Sequence, residues 1–329
     1  MSGCPNFTHL LVLPQLCVQN ANAISSPLTH GFPAITAFTG LMWALQRRLQ
    51  REGIEGLCFK AVGVVCHQHQ EQVSDGYVKS FSLSRNPIGK DGKAAAIVEE
   101  GRIHLRLSLV FAVDTLKLGI DDAEDVALAG RISELLSTMR IAGGSVLPNQ
   151  SASDPYWVAM TGDAKGREAN FKTLRLRLLP GFALVSRDDL LKAELQTRQQ
   201  HDADATLLDA WLSRSRRNHY YDADEGGWTH DRRTGSGWIV PIPVGYTALT
   251  DVQPAGSVAN ARDADTPFRF VEGLYSLGQW LSPHRIEQPR QLLWYPDANA
   301  ESGHYRCRND FITPPTEADQ TDWSAYYTY

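Results

Sequence analysis

The chain has 329 residues and a net charge of −5, with 43% hydrophobic and 21% charged residues, a balance typical of a globular protein of one or two domains. It has no run of eighteen apolar residues, so no membrane-spanning segment is expected. Its five cysteines form no C-x-x-C pair and its start lacks the features of a secretory signal, so we expect reduced thiols and a cytoplasmic location.

The charge is unevenly distributed along the chain. Residues 165–198 carry eight Lys and Arg against four Asp and Glu, whereas the last twenty residues carry four acids and no Lys or Arg. A basic stretch on an acidic protein is compatible with selective binding of a polyanion. A solvated, salt-bridged surface is the more common origin of such a pattern, so charge alone does not decide between the two.

The first predicted elements are a strand and a helix. Residues 9–18 form a compact apolar run, which predicts a buried strand interrupted by Pro14. A connection rich in small hydrogen-bonding side chains follows at 19–33. The next segment places apolar residues three and four positions apart and therefore predicts a helix with one buried face, formed by Phe38, Leu41, Met42, Leu45 and Leu49.

Two further strands, a helix and another strand are predicted next. Residues 61–73 begin with an apolar run and predict a strand, and residues 103–113 are apolar at every second position, the period of a strand, with His104, Arg106 and Ser108 between. The segment between them carries two turn signals and could form an extended hairpin arm. Residues 121–140 predict an amphipathic helix with an acidic start, and residues 181–186 predict a strand.

This order of elements predicts an α+β fold. Strand, helix, strand, strand, helix, strand is the order of a ferredoxin-like core, here with an insertion in its middle. A doubly wound parallel sheet is the alternative, but it requires a crossover helix between parallel strands, and residues 61–113 predict none.

The second half of the chain is less regular. Residues 189–217 predict two helical pieces, and the polar, glycine-rich residues 222–237 predict a loop. Residues 238–246 predict an edge strand because they contain two prolines, which cannot donate to a ladder. Residues 268–281 are apolar and aromatic and predict a helix. The acidic tail from Thr313 predicts a disordered segment or one that docks on a neighbour.

The sequence contains no motif that commits it to catalysis or to a cofactor. It has no G-x-S-x-G, P-loop or G-x-G-x-x-G motif. Cys66-His67-Gln68-His69 could supply two metal ligands, but no second cluster with suitable spacing accompanies it. Ser25, Ser26 and His30 could be read as nucleophile and base, or His30 as a general acid–base, although serine-rich loops are more often hydrogen-bonding loops.

Two other segments are candidates for contact with nucleic acid. Gly143 and Gly144 follow the second predicted helix, where one glycine suffices for a C-cap and a second would let another backbone approach closely. Arg262 and Arg269 are interleaved with phenylalanines, and such side chains can bind phosphates and stack on bases. They can equally form pairs with neighbouring acids.

Eight segments together resemble a known family: QNANAISSPLTHGFP at 19–33, SRNP at 84–87, AAIVEEGR at 95–102, RIAGGSVLP at 140–148, LLPGFALVSR at 178–187, NARD at 260–263, RFVE at 269–272 and LSPHR at 281–285. The chain is similar over about residues 8–310 to the second Csy subunit, a RAMP-type protein of the type I-F CRISPR surveillance complex. The resemblance is weak at 150–175, 200–235 and in the acidic tail.

The resemblance implies a ferredoxin-like (RRM-type) core over residues 1–187, with a hairpin arm at about 75–102 and a mixed α/β extension over 188–329. It implies a non-catalytic subunit that holds the 5′ handle of the guide RNA and contacts the large subunit and the first backbone subunit. Target double-stranded DNA lies nearby in such an assembly, and phage anti-CRISPR proteins are further expected partners. No cofactor, metal or membrane is expected.

On this resemblance we expect RNA contacts from the polar connection, the ends of the arm, the glycine turn and the arginine–phenylalanine segment. The residues are Asn20, Asn22, Ser25, Ser26, His30, Arg85, Arg102, Arg140, Gly143, Gly144, Ser145, Arg262 and Arg269. Two alternatives stay open: an endoribonuclease that processes precursor RNA with His30 as general acid–base, and a scaffold that binds only proteins.

Overall fold

The computed structural model describes residues 3–89, 91–119, 122–148, 153–217, 219–224, 226–230, 237–261 and 263–311. No helix within these ranges is both long enough and apolar enough to cross a membrane.

The described residues form helices and strands of very different lengths. The helices are α1 Ile35–Arg51, α2 Asp122–Ser137, α3 Ala164–Arg177, α4 Asp188–Gln199, α5 Leu207–Ser215 and α6 Pro289–Leu292. The strands are β1 His9–Asn22, β2 Ile24–Ser26, β3 Thr29–His30, β4 Cys58–Ser74, β5 Ser80–Arg85, β6 Ile97–Glu100, β7 Arg102–Asp114, β8 Arg140–Ile141, β9 Gly144–Leu147, β10 Tyr156–Ala159, β11 Phe182–Ser186, β12 His219–Asp222, β13 Gly227–His230, β14 Trp238–Ala248, β15 Val271–Leu281, β16 Leu293–Asn299 and β17 His304–Asn309.

The fold is α+β, as predicted, and is built on one antiparallel sheet of 13 strands. The order along it is β11-β15-β14-β17-β16-β4-β7-β1-β9-β8, with β10 paired to β1 and the hairpin β5–β6 paired to the end of β4. The long strands β4, β7 and β1 lie at its centre, because their apolar runs are buried on both faces.

Helices cover both faces of this central region. The face covered by α1 and α2 contains Phe38, Phe111 and Ile132, all fully buried. The opposite face contains Leu10 and Val110, on which α3 packs with Phe171. Two separate surfaces therefore exist, one beside α1 and α2 and one beside α3.

The strand predicted at 181–186 is present as β11, but it does not pair with β1. It pairs with β15 and with β4, whereas β9 and β10 pair with β1. The central order is thus β4-β7-β1-β9, with α1 between β1 and β4 in the chain and α2 between β7 and β9.

Two predictions for the second half were wrong. Residues 271–281 form the strand β15 and not a helix, because they pair with β14 on one side and β11 on the other. Gly278 lies at this junction, where a Cβ would meet the Ile242 and Leu184 side chains at 3.0 Å. The predicted loop 222–237 contains the strand β13, which pairs with β12. Across this pair the Tyr221 and Trp228 rings contact each other edge to face.

The proline-containing strand β14 is an edge only in part. Pro241 and Pro243 pair with β15, while residues 245 and 246 pair with β17 on the other side. The prolines thus lie where β14 has a single ladder partner among the described residues. The division into domains at residue 187 stays a prediction, and strands from both sides of that point share the main sheet. Sequence analysis did not predict α3, β16 or β17.

The Cys66–His69 segment lies in β4 and is interrupted by a bulge at His67. The His67 ring bonds the Pro180 carbonyl through Nδ1 at 2.6 Å and the Ser108 hydroxyl through Nε2 at 2.7 Å. Because a carbonyl can only accept, Nδ1 carries the proton and Nε2 accepts from Ser108. Both ring nitrogens are therefore engaged within the protein, His69 is exposed, and burial raises the pKa of the Cys66 thiol to about 12.

We predict that His67 makes the fold sensitive to mild acid. Burial lowers the pKa of His67 below its ordinary value of 6.5. The unfolded chain therefore binds the proton first, so the contribution of neutral His67 is present above pH 6.5 and lost as the pH falls further. Urea unfolding at pH 7.5 and pH 5.5 should show a smaller loss of unfolding free energy in His67→Gln than in the wild type.

The matched control is His69→Gln, two residues along the same strand and exposed. It should keep the wild-type pH dependence. An equal loss of unfolding free energy on acidification in the wild type and in His67→Gln would show that the half-buried His67 imidazole is not the group responsible.

Candidate nucleic-acid interface

The polar connection after β1 is held at three points by main-chain hydrogen bonds. The Asn22 N–H donates to the Ala142 carbonyl at 2.9 Å, and the Ala23 N–H donates to the Gly101 carbonyl at 3.0 Å. The connection then turns back, and the Gly31 N–H donates to the Ala23 carbonyl at 3.0 Å. The loop is therefore fixed between the hairpin β8–β9 and the start of β7.

The two serines of the loop bond the hairpin β2–β3 to itself. The Ser25 hydroxyl lies 3.1 Å from the Thr29 carbonyl and 2.8 Å from the Thr29 hydroxyl. The Ser26 hydroxyl lies 2.7 Å from the Thr29 hydroxyl and accepts the Leu28 N–H at 3.1 Å. Both hydroxyls have partners within the loop, which they hold in shape, and their predicted contact with RNA stays a prediction.

The two asparagines differ in their contacts. The Asn22 amide closes a local turn, since it donates to the Ile24 carbonyl at 2.7 Å and accepts the Ile24 N–H at 3.2 Å. Asn20 is exposed and adopts a positive φ of 57°, which asparagine tolerates better than most residues. Its N–H donates to His104 Nδ1 at 3.1 Å.

The glycine pair forms a hairpin turn and not a helix C-cap, because α2 ends at Ser137. Ala142 and Gly143 have φ of 49° and 80°, as a two-residue turn of type I′ requires, and they connect β8 to β9. Space around Gly143 is open, since a Cβ there would meet no atom within 4 Å.

Gly144 permits a close backbone approach, but the partner is β1 of the same chain. A Cβ at Gly144 would meet the Ala21 nitrogen at 2.7 Å, the Val18 side chain at 2.7 Å and the Gln19 carbonyl at 2.8 Å. Only glycine fits this contact without displacement of the backbone. Because Gly144 has no side chain, the hairpin β8–β9 packs directly on β1, the strand that leads into the polar loop.

A groove of about 440 Å³ lies between this hairpin, the loop and α1. Three of the predicted residues, Asn22, Arg140 and Gly143, line it. Along α1 the groove is lined by Ala34, which directly precedes the helix, and by Ala37, Gly40, Leu41 and Ala44, of which only Leu41 is large. Small side chains spaced three and four apart leave the helix surface shallow, so the groove exists because of this stripe.

Two arginines lie at this end of the sheet. Arg140 is exposed, and its Nη1 donates to the Gly143 carbonyl at 3.1 Å, so the guanidinium lies over the glycine turn. Arg102 lies directly across the ladder from Asn22 and pairs with Glu100 at 3.3 Å, with 40% of its side chain exposed. Ser145 is exposed and pairs with Arg140 and Gln19 in the two ladders.

The remaining predicted arginines are not brought to this groove. Arg85 is exposed on the arm, where it pairs with Ile97, three positions along the ribbon from Glu100 and so about 10 Å away. Arg269 donates to the Ala300 carbonyl at 3.3 Å, in the turn between β16 and β17. Arg262 lies outside the described residues.

His30 lies at the end of the polar loop and is oriented by two neighbours. Its Nδ1 is 3.0 Å from a Glu71 carboxylate oxygen, and its ring meets the edge of Phe81 at 5.4 Å between centroids. The side chain is 63% exposed. No described residue bonds the other ring nitrogen.

Sequence analysis missed two parts of this surface. The α1 stripe was missed because sequence analysis considered only the buried face of this helix. The exposed end of the central sheet carries His104 and Arg106 on β7, opposite Gln70 and Gln68 on β4. Their strict alternation with buried residues was a sufficient signal, because such residues share one face of a strand.

The described residues contain no group of three or more His, Cys, Asp or Glu placed to hold a metal ion. What the site offers is different: main-chain groups of a tight turn, an asparagine, exposed guanidinium groups and a shallow groove. Such a surface can bind a phosphate backbone and an unstacked base.

Comparisons with known proteins agree on one family. The family model described as CRISPR-associated protein (Cas_Csy2) matches residues 11–307. The chain is also 45% identical over 314 residues to the CRISPR-associated protein Csy2 of Pseudomonas aeruginosa strain UCBPP-PA14, an alignment that covers 90% of this chain and 94% of the relative. The family-model match includes the loop, α1 and the hairpin β8–β9, and it ends before residues 312–329.

We predict that Gly144→Ala displaces the hairpin and destabilises the protein by about 1–3 kcal/mol, the usual effect of a forced fit in a packed region. Gly143→Asn is the control, because asparagine tolerates a positive φ and the space there is open. It should change the unfolding free energy by less than about 1 kcal/mol. Equal destabilisation of both variants in urea unfolding would contradict the close contact with β1.

Proposed function

The chain belongs to the Csy2 family of CRISPR-associated proteins, and we propose that it is the subunit of a type I-F surveillance complex that binds the 5′ handle of the guide RNA without cleaving it. The observation that carries the proposal is the groove beside the glycine turn. Residues predicted from separate parts of the sequence, Asn22, Arg140 and Gly143, meet there.

The chemistry of the groove suits single-stranded RNA. A volume of about 440 Å³ lies within the usual ~300–1,000 Å³ of small-ligand pockets, enough for an unstacked nucleotide. Sequence-specific RNA recognition needs such unstacked bases, which are read by hydrogen bonds at their edges and by contacts to the 2′-hydroxyl. The Arg140 and Arg102 guanidinium groups provide charge for the phosphates.

The strand order supports a ferredoxin-like core of the RAMP type as part of this proposal. The central strands β4-β7-β1-β9 are mutually antiparallel, and α1 and α2 pack on one of their faces. In such a core the turn after the second helix and the connection after the first strand lie beside each other. In this chain the two segments are joined by the hydrogen bond from the Asn22 N–H to the Ala142 carbonyl.

The proposed partners are the guide RNA, the large subunit, the first backbone subunit and, within the assembly, target double-stranded DNA. Anti-CRISPR proteins of phages, which act against the same assembly, are further proposed partners. A purely protein-binding scaffold would form its heterodimer with the large subunit equally well with and without RNA. A handle-binding subunit should gain stability in that heterodimer from RNA that carries the 5′ handle.

One observation favours the endoribonuclease alternative. His30 is exposed and held by Glu71, as an imidazole that exchanges a proton with a 2′-hydroxyl would be. The two functions differ in the fate of the RNA. We expect repeat RNA to be recovered at full length after incubation with the chain and its large-subunit partner, whereas cleavage that His30→Ala abolishes would establish the alternative.

We predict that Gly40→Leu fills the groove and weakens binding of 5′-handle RNA at least tenfold. A Cβ at Gly40 would meet no atom within 4 Å, and leucine favours a helix over glycine, so the fold should be kept. The measurement is a gel shift on end-labelled handle RNA with the chain and its large-subunit partner.

The matched control is Gly130→Leu in α2, where a Cβ also meets no atom within 4 Å. Because Gly130 does not line the groove, this variant should bind RNA within twofold of the wild type. The proposal fails if Gly40→Leu also keeps wild-type affinity, or if scrambled RNA binds as tightly as the handle.

We predict that Arg102→Ala weakens RNA binding evenly across sequences and lowers the slope of log affinity against log salt by about 0.7, the amount lost with one phosphate contact on a single strand. The control is Arg131→Ala in α2, whose guanidinium pairs with Glu52 and Glu134. An unchanged slope in Arg102→Ala would remove this arginine from the interface.

A further inference from the structure

A second groove, of about 810 Å³, lies on the side of the sheet that α3 covers, away from the candidate RNA groove. It runs between α3, the N-terminal segment before β1 and the start of α6. The residues that line it are Asn6, Phe7, Met160, Ala164, Arg167, Glu168, Phe171, Arg175, Glu287, Gln288, Pro289 and Arg290. Nothing in the proposed RNA-binding function uses this surface.

Three arginines converge on this groove, and none of them forms an ion pair with a described carboxylate. Arg167 donates to the Gly162 carbonyl and Arg175 to the carbonyls of His284 and Ile286, while Arg290 donates to the Asn6 side chain at 2.9 Å. These partners are neutral, so none of them offsets the positive charge of the guanidinium group that it binds.

The Arg175 Nε is buried and has no hydrogen-bond partner among the described residues. A buried donor of this kind normally finds a partner in a native protein. The guanidinium lies over the Phe171 ring at 5.6 Å, on the groove wall. The Arg175 Nε–H therefore needs a hydrogen-bond acceptor that no described residue provides.

The rest of the lining indicates what kind of anion fits. Phe7, Met160, Phe171 and Pro289 give the groove an apolar floor, and Glu168 and Glu287 stand among the arginines. Glu168 and Glu287 repel every anion, so the apolar floor is the feature that discriminates: it gives a phosphate backbone nothing to pack on, whereas aromatic side chains can pack there. Arginines beside an apolar floor suit a peptide that alternates carboxylates with aromatic side chains.

The chain carries such a peptide, and it begins beside this groove. Phe311, the last described residue, packs in the same apolar cluster as Phe7 and Phe171. Asp310 accepts the Cys4 N–H at 2.7 Å, so the two ends of the described chain run together there. The eighteen residues that follow, ITPPTEADQTDWSAYYTY, have three acids, four aromatic residues and no Lys or Arg.

We propose that the arginine-lined groove beside α3 takes the chain's own segment 312–329, with Glu317, Asp319 and Asp322 as its carboxylates and the aromatic residues on its apolar floor. Eighteen extended residues reach at most about 60 Å, far more than the groove requires. Because the segment is tethered next to the site, its effective concentration is high and weak contacts suffice. The family-model match ends at residue 307, before this segment begins.

The test is competition between the tethered segment and a free copy of it. The probe is a fluorescein-labelled synthetic peptide of residues 312–329, and its anisotropy is measured with the full-length chain. The wild type should bind it weakly, because its own segment occupies the groove. A tail variant with Glu317→Gln, Asp319→Asn and Asp322→Asn should bind it at least tenfold more tightly.

Two further variants in the tail-variant background identify the groove. Arg167→Gln with Arg290→Gln should lower peptide affinity at least tenfold. Lys165→Gln with Lys172→Gln removes the same charge from α3 outside the groove and should change the affinity less than twofold. Handle-RNA binding, measured in parallel, should stay at the wild-type level in all variants and reports that they are folded.

Three results would overturn the proposal. The first is equal peptide affinity, or none, in the wild type and the tail variant. The second is an equal effect of the lysine pair and the arginine pair, which would indicate general attraction to a basic helix. The third is a concentration-dependent dimer of the wild type that the tail substitutions abolish, since the segment would then dock on a second copy.

Discussion

The close packing of Gly144 against β1 is the contact on which the candidate interface depends. Main-chain atoms of β1 lie where a Cβ would stand, so the hairpin β8–β9 is seated directly on the strand that leads into the polar loop. This packing places the Ala142 carbonyl within hydrogen-bond distance of the Asn22 N–H and leaves Gly143 on the open side of the turn. The groove beside α1 follows from it, because the hairpin forms one wall and the small-residue stripe of the helix forms the other.

The polar loop is rich in hydrogen-bonding side chains chiefly because it has to hold itself in shape. Both serine hydroxyls bond Thr29, and the Asn22 amide closes its own turn. A loop fixed before it meets a ligand loses less conformational entropy on binding, so under the proposed function these internal bonds would favour recognition of the RNA. The surfaces beside α1 and beside α3 lie on opposite faces of one sheet. Both grooves carry arginines although the net charge of the chain is −5: Arg140 lines the first, and Arg167, Arg175 and Arg290 line the second.

Periodicity was enough to predict β1, α1, β4, β7 and α2, because each carries a long apolar pattern that matches a single element type. Periodicity failed for β15, for which it predicted a helix. This segment is a strand because it pairs with β14 and β11, and β11 in particular is distant in sequence. Of the residues that the family resemblance predicts as RNA contacts, Asn22, Arg140 and Gly143 line one groove, whereas Arg269 bonds the Ala300 carbonyl in another part of the fold. Local pattern also could not show that Gly144 serves a contact within the protein, since that depends on how the hairpin packs on β1.

The most direct test of the central claim is a crosslinking map. Guide RNA with 4-thiouridine at single positions of its 5′ handle would be assembled with this chain and its partner subunits, irradiated, digested and analysed by mass spectrometry. The account predicts crosslinked peptides from residues 19–34 and 139–147, on the two walls that meet at Asn22. Crosslinks confined to other surfaces of the chain, with both of these segments unmodified, would contradict it.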